Sequence, residues 1–221
     1  MTEVPPYIRG LVFDCDGTIA DTMPLHYEAW LTAFGEHGHD FPEALFYEMA
    51  GIPTHTIIEM LNQKHGYKMP VRETAERKDA MFEALIPRVR PIEPVVALVE
   101  RYAGKLPMAV ATGGTRALCS KTLSALGLLD HFQALVTADD VEHGKPSPDI
   151  FLEAARRLDV PAQVCCAFED AELGLQSARA AGMLGLIFGR CESELFIAKT
   201  DSTPAPVPPA RRVRRSVCLY R

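Results

Sequence analysis

Five short apolar runs recur along this chain of 221 residues: Gly10 to Phe13, Met108 to Ala111, Ala134 to Thr137, Val164 to Phe168 and Leu184 to Phe188. Each is continuous rather than alternating, which is what a strand covered on both faces requires. Helical patterns lie between the later runs. Arg116 to Leu126 stops at Gly127, Pro148 to Leu158 carries Phe151, Ala154, Ala155 and Leu158, and Asp170 to Ala181 stops at Gly182. Strand and helix in alternation predict an α/β fold, a Rossmann-like parallel sheet with helices on both sides.

The first strand breaks this rhythm, because about ninety residues separate it from the run at 108. Within them Leu25 to His37, Glu43 to Ala50, Thr54 to Asn62 and Val71 to Leu85 read as helices. Four helices are too many for one crossover, so a helical cap domain inserted after the first strand is expected over residues 23–87, with 1–22 and 88–199 forming the core. The chain from Thr200 onward holds four prolines and then Arg211, Arg212, Arg214 and Arg215. That composition cannot bury enough surface to offset the entropy of ordering, and a disordered tail is the reading.

Charge and cysteine use limit the partners. A formal net charge of −6 gives no electrostatic reason to expect nucleic acid or an anionic membrane. No run approaches the length of a membrane span, and MTEVPPYIRG lacks the regions of a signal peptide. A cytoplasmic monomer is expected. The six cysteines form no C-x-x-C pair and four sit in apolar runs, so they read as buried thiols in a reducing compartment. Cys15, between two aspartates, is the one to watch.

Ligands of doubly wound sheets bind outside the carboxyl ends of the strands, so the residues just beyond each run carry the functional signal. Asp14 and Asp16 lie past the first, Thr112-Gly113-Gly114 past the second, and Glu169-Asp170 past the fourth, with Lys145 in the loop beyond the third. Several carboxylates on one rim raise one another's pKa unless a hard cation lies among them. Magnesium suits few protein oxygens plus water and phosphate, whereas calcium would need more, and D-x-D-G does not fit the calcium-loop pattern. Lys145, Thr112 and the N–H groups of Gly113 and Gly114 then suit the charge that develops on a transferring phosphoryl group.

Asp14-x-Asp16-Gly17-Thr18, Thr112, Lys145-Pro146 and Glu169-Asp170 resemble the four motifs of the haloacid-dehalogenase-like (HAD-like) phosphatases, over residues 8 to about 190. Thr22, His26, Ala29-Trp30 and KPSPDIF resemble the β-phosphoglucomutase-like group within them. The resemblance implies Asp14 as nucleophile and Asp16 as acid and base. It implies Mg2+ held by Asp14, the backbone carbonyl of Asp16, and Asp170, with Glu169 in support. Thr112, Gly113 and Lys145 would bind the phosphoryl group, and His26, Thr54 and Lys78 would meet the rest of the substrate. Lys78 lies on the stripe Val71, Ala75, Lys78, Phe82, Leu85, so it either snorkels to solvent or points into the cleft beside His26.

One departure bears on the reaction. The mutases of this group typically carry an arginine after the cap's Gly-Val-Ser, where this chain has Gly51-Ile52-Pro53-Thr54. A hydroxyl does not replace a bidentate cation at a second phosphate. Gly-x-Pro-Thr resembles the branch acting on esters such as fructose 1-phosphate, so a Mg-dependent phosphatase of small sugar phosphates is expected, with β-phosphoglucomutase as the alternative. Every expected catalytic position is filled, which speaks against a non-catalytic binder.

Overall fold

A computed structural model describes residues 4–187. Phe188, Cys191, Cys218 and the expected tail from Thr200 lie outside the described residues. The strands are β1 (Gly10–Phe13), β2 (Met108–Ala111), β3 (Ala134–Val136), β4 (Cys165–Glu169) and β5 (Leu184–Ile187). All four pairings are parallel, in the order β3-β2-β1-β4-β5. Leu11 pairs with Met108 on one side and Cys166 on the other, which puts β1 at the centre.

Side chains alternate between two covered faces, as the pleat requires. Leu11, Phe13, Met108, Val110, Cys166 and Phe168 face one apolar cluster. Two helices cover it, α5 (Glu93–Tyr102) through Val95 and Val99, and α6 (Arg116–Ala125) through Cys119 and Leu123. Phe13 stacks on Phe168 there, with centroids 4.6 Å apart. Val12, Ala109, Ala111 and Ala167 face the other cluster, under α7 (Asp149–Leu158) and α8 (Glu172–Ala180). Alanines on that face let Phe151 and Ala154 pack close against the sheet. Fully burying a phenylalanine or valine in such a layer is worth about 1.5–3 kcal/mol.

Between β1 and β2 run α1 (Met23–Gly35), α2 (Glu43–Glu48), α3 (Thr54–His65) and α4 (Val71–Leu85). They collect an apolar cluster of their own around Trp30, Phe34, Phe41, Ile58 and Leu61. A smaller cluster of Leu25, Phe82, Ile86 and Leu118 joins them to α6. The chain leaves and re-enters the sheet layer side by side: Ala20 bridges Pro91, and the Asp21 N–H donates to the Arg90 carbonyl at 2.9 Å.

Most boundaries fall within two residues of expectation. α3 runs three residues further than Asn62, to His65, where Gly66 at φ +71° ends it in the left-handed conformation. α5 was not foreseen. It is ten residues long and has proline in its first turn. The cysteines within the described residues, Cys15, Cys119, Cys165 and Cys166, are buried free thiols. Cys15 lies in the sheet's apolar cluster beside Cys119, its thiol pushed up by the contact with Cys119 and by burial.

Candidate active site

The order in which strands are added reverses between β1 and β4, so the carboxyl ends of β1, β2 and β4 open onto one cleft. Asp14 directly follows β1, and its N–H donates to the Phe168 carbonyl of β4 at 2.9 Å. The turn after it is tight: the Cys15 carbonyl accepts from Thr18, Ile19 and Ala20. Gly17 holds φ +83°, and a Cβ there would lie 2.1 Å from Asp170 Oδ2. Only glycine combines that φ with room for the neighbouring carboxylate.

Lys145 Nζ donates to Asp14 Oδ1 at 2.7 Å and also to Glu169 Oε1. Burial alone would lower the lysine's pKa, but the carboxylates of Asp14 and Glu169 outweigh it and raise it. The loop carrying Lys145 is tied to α8, where the buried Ser177 hydroxyl donates to the Ser147 carbonyl. One oxygen from each of Asp14, Glu169 and Asp170 lies within 4.8 Å of the others. Burial raises all three carboxyls. Asp14 is opposed in this by Lys145, Glu169 reaches about 8 against the pull of Lys145, and Asp170 reaches about 7 with Asp14 adding to it. Such a strained group of oxygens, with a glycine leaving space beside Asp170, fits a hard divalent cation.

Asp16 stands apart from that group. Its Oδ1 accepts from the Thr22 hydroxyl at 2.8 Å and meets His26 Nε2 at 3.3 Å. Its Oδ2 faces the Thr112 hydroxyl at 3.5 Å. Burial pushes this carboxyl up, but His26, Thr22 and Lys78 together bring it down to about 2. The Asp16 side chain is thus engaged by Thr22 and His26, and the expectation that its backbone carbonyl meets the metal does not involve it. A carboxylate only accepts, so His26 Nε2 is the donor, and Nδ1 is buried with no hydrogen-bond partner among the described residues. Burial and Lys78 lower the pKa of His26 against the pull of Asp16. Its ring stacks on Phe82, centroids 3.7 Å apart.

Thr112, buried at the end of β2, accepts the Gly114 N–H at 3.1 Å, which shapes the Thr112-Gly113-Gly114 turn ahead of α6. The helical layer closes the cleft from above. Lys78 does not snorkel: it is 5% exposed, with Nζ over the rings of Trp30 and Phe82 and 3.2 Å from Asp79 Oδ1. Thr54 opens α3 on the same cleft, which has a volume of about 140 Å3 and also touches Gly113, Lys145 and Asp170. The site residues expected from sequence thus border one space. Sequence reasoning missed Asp79, which partners Lys78, and Gly174, whose missing side chain leaves room for the Glu169 carboxyl. An acid next to the odd lysine of an apolar stripe was a readable signal for the first; the second had none.

A parallel doubly wound sheet with acids and a lysine at its switch point defines an α/β protein with a polar ligand site at the carboxyl ends of its strands. A haloacid dehalogenase-like hydrolase family model matches residues 8–182. The chain is 40% identical over 175 residues to the fructose-1-phosphate phosphatase YqaB of Escherichia coli, covering 79% of this chain and 93% of that one. It is 29% identical to the β-phosphoglucomutase of Bacillus subtilis, covering 83% and 84%. Among solved structures, CbbY of Rhodobacter sphaeroides in complex with phosphate superposes with a TM-score of 0.76 at 26% identity, covering 88% and 92%. The chain belongs to the haloacid dehalogenase-like hydrolases, as a phosphoric monoester hydrolase.

Proposed function

We propose that this enzyme is a Mg2+-dependent phosphatase of small sugar phosphates, of the fructose 1-phosphate type, working through an aspartyl phosphate. The observation that carries the reading is the meeting of Asp14, Glu169 and Asp170 within 4.8 Å, with Lys145 on the first two. In this reading residues 23–87 act as a cap over a core of 1–22 and 88–199. Closing the cap would exclude water and complete the substrate pocket.

Lys145 holds Asp14 Oδ1, which leaves Oδ2 to attack phosphorus. The Lys145 ammonium and the Thr112 turn receive the charge on the phosphoryl oxygens. Asp16 gives its proton to the departing sugar oxygen, then takes one from the water that hydrolyses the aspartyl phosphate, and inorganic phosphate leaves. At about 2, Asp16 must first gain a proton, and the negative charge of an arriving phosphate pushes its pKa in that direction. Asp14 and Asp170, with Glu169 in support and the Asp16 backbone carbonyl, would hold Mg2+. Bound there, the metal would offset the charge shared by carboxylates and phosphate.

Two features favour hydrolysis over phosphoryl return to the sugar. Thr54 stands where the mutases carry an arginine, and YqaB, at 40% identity, is a fructose-1-phosphate phosphatase. The test measures inorganic phosphate released from fructose 1-phosphate with Mg2+ against conversion of β-glucose 1-phosphate to glucose 6-phosphate. Turnover of the second with negligible phosphate release would overturn the proposal.

A further inference from the structure

A second cavity, about 180 Å3, runs from Asp16 and His26 between α6 and the helices above it. It shares His26, Thr54, Lys78 and Gly113 with the catalytic cleft, and beyond them it is lined by Asp79, Thr115, Thr122 and Asp139. This is where the part of a substrate that is not transferred would lie. From its charges we infer that the pocket takes a neutral, polyhydroxylated body and rejects a second phosphate, with Asp79 and Asp139 as the residues that set this specificity. The inference rests on the sugar-phosphatase reading and narrows its substrate class to monophosphates.

Three carboxylates, Asp16, Asp79 and Asp139, line this cavity with two histidines, His26 and His55, against one lysine, Lys78, among the described residues. That lysine already has a counter-ion, because its Nζ lies 3.2 Å from Asp79 Oδ1. It has hydrogen bonds left for a hydroxyl but no uncompensated charge for an anion. The start of α6 would otherwise be an anion site, since a helix N-terminus presents free N–H groups. Here Asp139 Oδ2 already accepts the Arg116 N–H at 2.9 Å, and the Thr115 hydroxyl accepts the Leu118 N–H at 3.4 Å. The Arg116 guanidinium is also committed, to Asp140 and to the Leu135 carbonyl. Asp139 therefore fills, with its own negative charge, the position a distal phosphate would need.

Hydroxyl-bearing ligands find the opposite situation. Carboxylates at Asp79 and Asp139 accept from sugar hydroxyls, which donate as readily as they accept.

Binding and turnover test this separately. The Asp14→Asn variant, with Mg2+ present, is titrated calorimetrically with fructose 1-phosphate and with fructose 1,6-bisphosphate. The bisphosphate is expected to bind at least about tenfold more weakly, from like charges within a few ångströms in a partly screened site. Adding Asp139→Asn, or Asp79→Asn, should shrink that ratio several-fold, and the same narrowing should appear in kcat/KM of the two single variants with Asp14 intact. Equal binding of the two sugars, or a ratio untouched by both substitutions, overturns the inference. If the wild type hydrolyses neither sugar while the binding ratio holds, the sugar-phosphatase reading fails instead.

Discussion

Gly174→Ala places one methyl group against the carboxyl that helps hold the catalytic lysine. A Cβ at position 174 would lie 2.1 Å from Glu169 Oε1 and Cδ and 2.3 Å from Oε2. Ordinary contact begins near 3.4 Å, so Glu169 must withdraw by about 1.3 Å, which is 3.4 less 2.1. It has nowhere easy to go, being 1% exposed and bound to Lys145. Overpacking of this kind costs about 1–3 kcal/mol. Weakening the charged hydrogen bond to Lys145 adds up to about 1.5–3 kcal/mol. For a chain of this size each kcal/mol lowers Tm by about 2–4 °C, so a total cost of about 1–6 kcal/mol predicts a fall of roughly 2–24 °C by circular dichroism. Lys145 also holds Asp14, and a displacement near 1 Å at reacting groups costs on the order of 10²-fold in kcat. Gly35→Ala is the control: nothing lies within 4 Å of that Cβ, and alanine at the end of α1 should be neutral or stabilising by up to about 1 kcal/mol. If Gly174→Ala matched the wild type in both Tm and kcat, the packing argument would be refuted.

Asp14→Asn should abolish phosphate release while leaving the circular dichroism spectrum unchanged; wild-type hydrolysis by this variant would remove the nucleophile from the mechanism. Glu169 and Asp170 rise to about 8 and about 7 from ordinary values of 4.5 and 3.8, so the folded chain binds more protons than the unfolded one between about pH 4 and pH 8. Without metal, stability should therefore fall as pH rises through that window, by up to about 1.4 kcal/mol per pH unit for each proton held. Mg2+ binds the deprotonated carboxylates, so its addition should raise Tm more at pH 8 than at pH 5.5. An equal rise at both would show that these acids are not its ligands.

How legible each element was depends on how local its signal is. β1 and β2 matched residue for residue, because four consecutive apolar residues, bounded by Arg9 and Asp14 in one case and by Pro107 and Thr112 in the other, can be read from a short window. α5 escaped notice: its Val95, Val96, Leu98 and Val99 stripe spans barely one turn, behind Pro91 and Pro94. Lys78 illustrates the middle ground. Its place on an apolar stripe was plain, but either outcome suited the pattern until Trp30, Phe82 and Asp79 were seen around it. Gly174 and Asp139 matter through what lies beside them in space, Glu169 and the Arg116 N–H, five and twenty-three residues away in the chain. No periodicity encodes such a neighbour.

By itself the sequence determined where strands end and that acids, a threonine and a lysine stand at or near those ends, since strand length and breaking residues act over a few positions. Only the tertiary structure decided which of these groups touch. The order β3-β2-β1-β4-β5 sets β4 against β1, which brings Glu169 and Asp170 to Asp14 and leaves Asp16 to Thr22 and His26. That order is settled by burying both faces of the sheet under four helices at once, a free energy summed over the whole chain and carried by no single stretch of it.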